Sequence, residues 1–541
     1  MRKKTKGLLV AAILVATANT APAATEVVLH SFSGGPGDGD EPDGGLIADS
    51  AGNLYGVTQF GGKSAGGSAF FCSYQGCGTI FKLTPDGIES VLYSFTGGND
   101  GSVPLGALIA DKAGNFYGTT GFGGTSGAGV VFKLAPGGLE TVLYSFGGSP
   151  DGSAPGSGLF PDRAGNLYGT TEEGGDGTCS FLGCGTIFKI DSKGTETLLH
   201  SFAGTPDGAF PAAGLIADSV GNFYGTTSQG GASGNGTVFK LSSAGKESVL
   251  HSFKGGDDGS APSNSGLIAD VAGNLYGTTF NGGGSAGDGV VFKLTPDGIE
   301  SVLHAFKGDD GSNPNAGVIA DSAGNLYGTT IGGGDHGTGT VFKLTPDGKE
   351  TVLHSFAYSD TIVSTDGVGP SAGLIADSSG NLYGTTENGG LSGAGTVFKL
   401  TDTGFVLPFR HFEPLLAIEF GPKPDSDSFQ VFASFSLGQG SVGIDPAKEP
   451  VTLKIGTFIT TIPAGSFVGS GSGPFYFVGK VKGVELEVAI ELVGAREYLF
   501  TAAAEQASLK GTENPVPVTL AILGGDSGTA TVAADVVTAG K

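Results

Sequence analysis

The chain is 541 residues long and carries 28 Lys and Arg against 52 Asp and Glu, a formal net charge of −24. Phosphate backbones and anionic lipid repel such a chain, and no basic patch offsets this, so nucleic acid is excluded as a natural partner. Glycine supplies 102 residues, yet 36 Phe and 13 Tyr offer enough apolar surface to offset ordering entropy, which separates this chain from disordered Gly-rich sequences.

In chain order, the first element is an expected export signal over residues 1–24. Residues 2–6 are basic, Gly7 to Ala16 is a short apolar stretch, and Ala21-Pro22-Ala23 gives the small-residue cleavage pattern. The apolar stretch is too short to span a bilayer, no Cys follows it, and no later segment is apolar enough to cross. The expected location is therefore extracellular or periplasmic.

The second element is a sevenfold repeat over residues 25–412. Its Gly-Asn pair falls at Gly52, Gly114, Gly165, Gly221, Gly273, Gly324 and Gly380, at intervals of 62, 51, 56, 52, 51 and 56 residues. Each period holds four short runs rich in β-branched and aromatic residues, as at Leu267–Asp270, Asn274–Thr279, Val290–Leu294 and Glu300–Phe306. Asp-x-x-Gly-Asn joins the first two runs and Thr-Pro-Asp-Gly or a relative joins the last two, both turn sequences. Four antiparallel strands in about 50 residues is the size of a kelch-like blade, so the repeat predicts a seven-bladed β-propeller. The fourth run occurs eight times. Its extra copy, Thr25–Phe32, is predicted to pair into the seventh blade and fasten the ring. The last copy, Phe405–Phe412, holds Pro408 in its middle and reads as a degenerate edge strand.

The third element, residues 413–541, loses the repeat. Alternation at Phe429, Val431, Ala433, Phe435 and Leu437, and again from Val484 to Ile490, predicts a smaller β-sandwich-like domain. It has no Cys and no His. The fold class is thus all-β throughout.

The recurring Leu-Ile-Ala-Asp-x-x-Gly-Asn-Leu-Tyr-Gly-Thr-Thr, followed by Gly-Thr-Val-Phe-Lys-Leu, resembles the GloVer tandem repeat of bacterial exported proteins called choice-of-anchor proteins. The resemblance covers residues 25–412. It implies a bacterial surface or secreted protein and brings no catalytic residue. Members of that family typically end in a sorting or anchoring tail. Val532 to Lys541 lacks a hydrophobic run with a basic tail, which favours release over anchoring.

Most residues that could pass for a site recur in every copy. Cys72 and Cys77, and Cys179 and Cys184, share one spacing and one repeat position. In an exported chain they read as two local disulfides pinning inserted loops rather than a zinc site. His30, His200, His251, His304 and His354 share a position with Tyr93 and Tyr144, so they read as half-buried rings rather than metal ligands. The Asp-Gly-x-x-Pro loops, with the denser Asp38, Asp40, Glu41 and Asp43 in the first, could hold Ca2+. No full calcium loop is present, so they read as Asp-capped turns, and no cofactor is expected.

What remains are positions where the copies disagree. The loops after the second and fourth runs carry every insertion and are predicted to open on one face. The expected ligand rim is Gln59, Phe122, Glu172, Glu173, Gln229, Asn281, His336 and Glu387. No catalytic constellation is visible. The expected function is a non-enzymatic binding or structural protein for an extracellular polymer or surface protein. The alternative is a carbohydrate-active hydrolase or lyase with its site at the channel mouth, and no feature sets an oligomeric state.

Overall fold

The computed structural model describes residues 24–537, apart from residues 64–71, 73–74, 180–181, 263–265, 271, 358–365, 406, 409–410, 420–426, 437–450, 456–457, 464, 470–474, 482–483, 493–496, 508, 510–515, 523–527 and 535. The expected export signal lies almost wholly outside them, as does most of the long insertion between Ala357 and Gly369. The described residues form an all-β protein whose one helix is the short 3-10 turn Gly256–Asp258. No described helix is long and apolar enough to cross a membrane.

The repeats fold into seven four-stranded antiparallel sheets among the described residues. A representative sheet runs Ile268–Ala269, Leu275–Thr279, Val290–Leu294 and Glu300–Ala305. Its first strand is shorter than the sequence pattern predicts. The third and fourth strands pair Val291 with His304 but Phe292 with Val302, leaving Leu303 as the extra residue of a bulge. The same bulge recurs in every sheet. It lets both the ring at position 304 and the leucine beside it pack against a neighbour.

The seventh sheet draws its outer strand from the start of the chain. Thr25–Ser31 pairs antiparallel with Thr396–Thr401. Residues Phe405–Phe412, expected as a degenerate edge strand, do not join this sheet. Leu407–Pro408 pairs instead with Gly528–Ala534, and His411–Glu419 with Asp427–Ser436. The physical reason is competition for one edge: Thr25–Ser31 offers a full ladder, whereas Pro408 lacks a donor.

Neighbouring sheets meet through three contacts that recur seven times. A buried Phe after each fourth strand packs edge-on against a Phe in the third strand of the next repeat, as Phe202 on Phe239 at 5.2 Å. A Pro of each repeat lies against a Gly of the preceding one, so that a Cβ on Gly185 would fall 2.5 Å from Pro211. A backbone N–H donates across the junction, as Phe210 to the Cys184 carbonyl at 2.8 Å. Between the last repeat and the first, the same three contacts are Phe32 on Phe81 at 5.1 Å, Pro42 on Gly395, and Glu41 N–H to the Ala394 carbonyl at 3.1 Å. The aromatic pairs contribute about 0.5–1.5 kcal/mol each beyond their burial.

The C-terminal residues form a six-stranded and a five-stranded sheet. Alternate residues of both bury into one core, including Val431, Leu453, Val488, Phe500 and Leu520.

Candidate functional site

The site grows from a turn that all seven repeats share. The residue before the repeat's Pro has positive φ in each copy: 54° at Glu41, 56° at Val103, 54° at Ala154, 58° at Phe210, 54° at Ala261, 55° at Asn313 and 66° at Gly369. Six of these are not glycine, and a left-handed residue before Pro is strained. Two backbone bonds hold it. The Val103 N–H donates to Cys77 of the preceding repeat at 3.0 Å, and its carbonyl accepts from Gly121 at 2.9 Å. The turn aims the following residues inward.

Those residues line one cavity of about 580 Å³, to which all seven repeats contribute. Most of its wall is Gly, Ala and Leu, with Asp43, Ser157, Glu172, Ser228 and Ser371 supplying polar side chains. Asp43 accepts a hydrogen bond from Gln59 Nε2 at 3.1 Å and another from the Ser371 hydroxyl. Burial nevertheless pushes its carboxyl above the ordinary range. Glu387 is raised by burial and by the charges of Asp43 and Glu41, and Glu41 in turn by burial, Asp40 and Asp43. Glu172, on a different part of the wall, is raised by desolvation. Asp43 and Glu172 are therefore the acids of the cavity wall, and Glu41 and Glu387 lie near enough to Asp43 for their charges to act on one another.

Of the expected rim residues, Glu172 stands in the wall, Gln59 is tied to Asp43, and Glu387 feels Asp43's charge. Phe122, Glu173, Gln229 and Asn281 take a framing role. Each pairs through its backbone with the Asp-Gly loop, opposite Ser102, Ser153, Ala209 and Ser260. Their carbonyls accept a bond from the threonine two residues earlier, at 2.7–2.9 Å. His336 is exposed and lies outside the residues that line the cavity. Asp43 was missing from the expected rim. Its signal was available, since it stands where Leu105, Gly156, Ala212, Asn315 and Ser371 stand in other copies.

The two cysteine pairs are disulfide-bonded, with Cα atoms 4.7 Å apart for Cys72 and Cys77 and 5.2 Å for Cys179 and Cys184. The Asp-Gly-x-x-Pro loops are Asp-capped, as Asp207 accepts the Ala203 N–H at 3.0 Å. The His row supports these caps. His200 Nε2 lies 3.1 Å from Asp207, and in the Tyr copies the Tyr93 hydroxyl donates to Asp100 at 3.0 Å. At the other end of each sheet the Asp-x-x-Gly-Asn aspartate accepts from Asn and Tyr. The Asn115 amide foremost lowers the Asp111 carboxyl to about 2.

These features define an all-β protein of tandem four-stranded sheets around a shared cavity. The chain belongs to the Gloeobacter/Verrucomicrobia repeat family, whose model matches residues 71–285 and 263–423. No curated protein matches it. Similar solved structures include a Xanthomonas campestris gluconolactonase, at 15% identity over 58% of this chain and 88% of that one, with a TM-score of 0.35. A Trypanosoma rangeli sialidase in complex with sialic acid is 9% identical over 96% of this chain and 90% of that one, at 0.36. A capybara gut metagenome GH43_12 protein is 11% identical over 95% and 91%, at 0.29. At these TM-scores none bears on the activity of this chain.

Proposed function

We propose that the seven sheets are the blades of a closed β-propeller over residues 25–412, followed by a β-sandwich-like domain over 413–541, in an exported binding protein. Removal of an export signal at 1–24 and two disulfides suit an oxidising compartment. The ligand is an extracellular polymer, a chain end or side group of which enters the cavity beside Asp43.

The observation that carries this reading is the wall itself. Sevenfold backbone geometry builds one concavity of ligand size, and single-copy polar residues mark only part of it. Carboxyls accept hydrogen bonds when ionised and can also donate when protonated, which suits hydroxyl- or amine-bearing polymers. Glycan-array binding by the wild type, lost in Asp43→Asn with Glu172→Gln, supports it. Array binding that both substitutions leave intact removes the site from the cavity.

A carbohydrate-active enzyme is the second reading, favoured by one observation. The charges of Glu41, Asp43 and Glu387 act on one another where the first and last repeats meet, which breaks the sevenfold symmetry. Hydrolysis uses paired carboxyls of this kind. Turnover in a hydrolase and lyase screen that vanishes in Glu172→Gln with Glu387→Gln would establish this reading over simple binding.

A further inference from the structure

The histidine row has a third partner that comes from the next repeat. Glu89 reaches His30 and Asp38, Glu247 reaches His200 and Asp207, and Glu26 reaches His354 and Asp366. In each group the imidazole nitrogen and two carboxylate oxygens lie within 4.8 Å of one another. The His nitrogens are 3.4, 3.1 and 3.5 Å from their aspartates. A second observation concerns the glutamates. Oε1 of Glu26, Glu89 and Glu247 is shielded from solvent and has no hydrogen-bond partner, as is also true of Glu140, Glu300 and Glu350, which lack the convergent group. Two carboxylates and an imidazole thus converge with an acceptor left unsatisfied, an arrangement that needs positive charge.

The remaining His copies carry a lysine whose charge is felt nearby. The residue after the buried Phe is Lys254 in one and Lys307 in the other. Lys254 acts on both Glu300 and His251, and Lys307 on His304. The three convergent groups have Ser33, Ala203 and Ala357 at that position instead.

We propose that these three His-Asp-Glu groups are divalent cation sites of the Zn2+ class, each bridging two adjacent repeats. One nitrogen and two carboxylate oxygens are a three-ligand set that leaves a fourth position for water. Ligand distances of about 2.0–2.2 Å require the atoms to approach slightly more than they do here, within the reach of side-chain rotation. The His and Asp side chains are 16–22% exposed, so an ion can enter from solvent. Two of the sites use Glu26 and His30, both on the N-terminal strand Thr25–Ser31, so the ions would clasp that strand to its neighbours on both sides.

The test is Zn2+ titration of full-length protein stripped with EDTA, followed by calorimetry and native mass spectrometry. Three ions per chain and a raised Tm are expected. The triple variant His30→Tyr, His200→Tyr, His354→Tyr places the residue native to two other repeats and should lose all three ions while keeping its fold. The triple variant Ser33→Lys, Ala203→Lys, Ala357→Lys should also lose them, because a built-in cation replaces the bound one. Zn2+ uptake that survives either variant overturns the proposal. So does stripped protein whose Tm responds to pH but not to Zn2+, which would make a proton the only cation present. Uptake of Ca2+ in preference to Zn2+ would overturn the assigned ion class.

Discussion

Six of the junctions between sheets join consecutive repeats, and the seventh joins the two ends of the repeat region. The aromatic pair, the Pro-Gly contact and the backbone bond are the same at all seven. One link differs. At four interior junctions a buried Thr donates to the cavity wall of the next repeat, as Thr119 to Ser157 at 3.0 Å and Thr329 to Ala372 at 3.1 Å, whereas the first repeat has Val57 at this position and no hydroxyl to donate. At the seam, Thr385 Oγ1 is buried with no partner among the described residues. There a side-chain contact, Ser371 to Asp43, crosses the junction instead. The seam therefore reproduces the packing of the interior and replaces a backbone acceptor with an acid that faces the cavity. Repetition fixes the frame, and the Thr link is free to differ, at the first interior junction through Val57 and at the seam through Asp43.

The largest expected effect tests whether the seam bears the same load as the interior. Deleting residues 25–31 removes a full outer strand and leaves Thr396–Thr401 as a bare edge. A loss of roughly 10 °C or more in Tm by circular dichroism is expected, from several kcal/mol at about 2–4 °C per kcal/mol. An unchanged melt would mean the seam is not a stabilising junction.

Next in size is a paired truncation. Phe32→Ala at the seam and Phe202→Ala at an interior junction each remove a fully buried ring. Both should cost about 3–5 kcal/mol in chemical denaturation. A seam value smaller by half would show that the ends fray.

The third prediction concerns pH in the presence of EDTA. Burial, with a facing carboxylate, pushes Glu26, Glu89, Glu140, Glu196, Glu247, Glu300 and Glu350 up to about 7. Raised folded values mean the stability they contribute is fully present below about pH 4.5 and is lost as pH rises through 7. Half-exposure screens the effect, leaving at most about 1 kcal/mol per group. Tm should fall between pH 5 and 8. Glu26→Gln and Glu247→Gln should each flatten the curve by the same increment if seam and interior are alike. Unequal flattening would separate them.

The smallest effect belongs to the loops. Reducing both disulfides opens rings whose cysteines are only five residues apart. A short closed ring constrains the unfolded chain little, so Tm should fall by no more than about 3 °C. Proteolysis of the loops around Cys72 and Cys179 should accelerate instead.

Much of this was legible beforehand. Gly-Asn spacing, alternating runs and turn residues are local properties, so the repeat and its four strands followed from the sequence. The partner of Thr25–Ser31 was legible too, because a fourth-run pattern without its own repeat must be shared. Phe405–Phe412 was read as a degenerate edge strand, and Leu407–Pro408 is one, but of a sheet beyond the repeats, because Thr25–Ser31 already holds the edge of the seventh sheet. Asp43 was passed over because it sits in an acidic loop whose neighbours suggested a turn. Only the φ of Glu41 and the following Pro turn it toward the cavity.

By itself, then, the sequence determined the number of repeats, the all-β class, the turns and the cysteine pairing, since each depends on residues close together in the chain. Tertiary structure alone decided which groups share a site. Asp43 meets Ser371 across 328 residues, and Glu26 meets His354 across the same number. Such contacts depend on how one sheet leans on the next, and the electrostatics that make them chemically distinctive exist only once burial has removed the water.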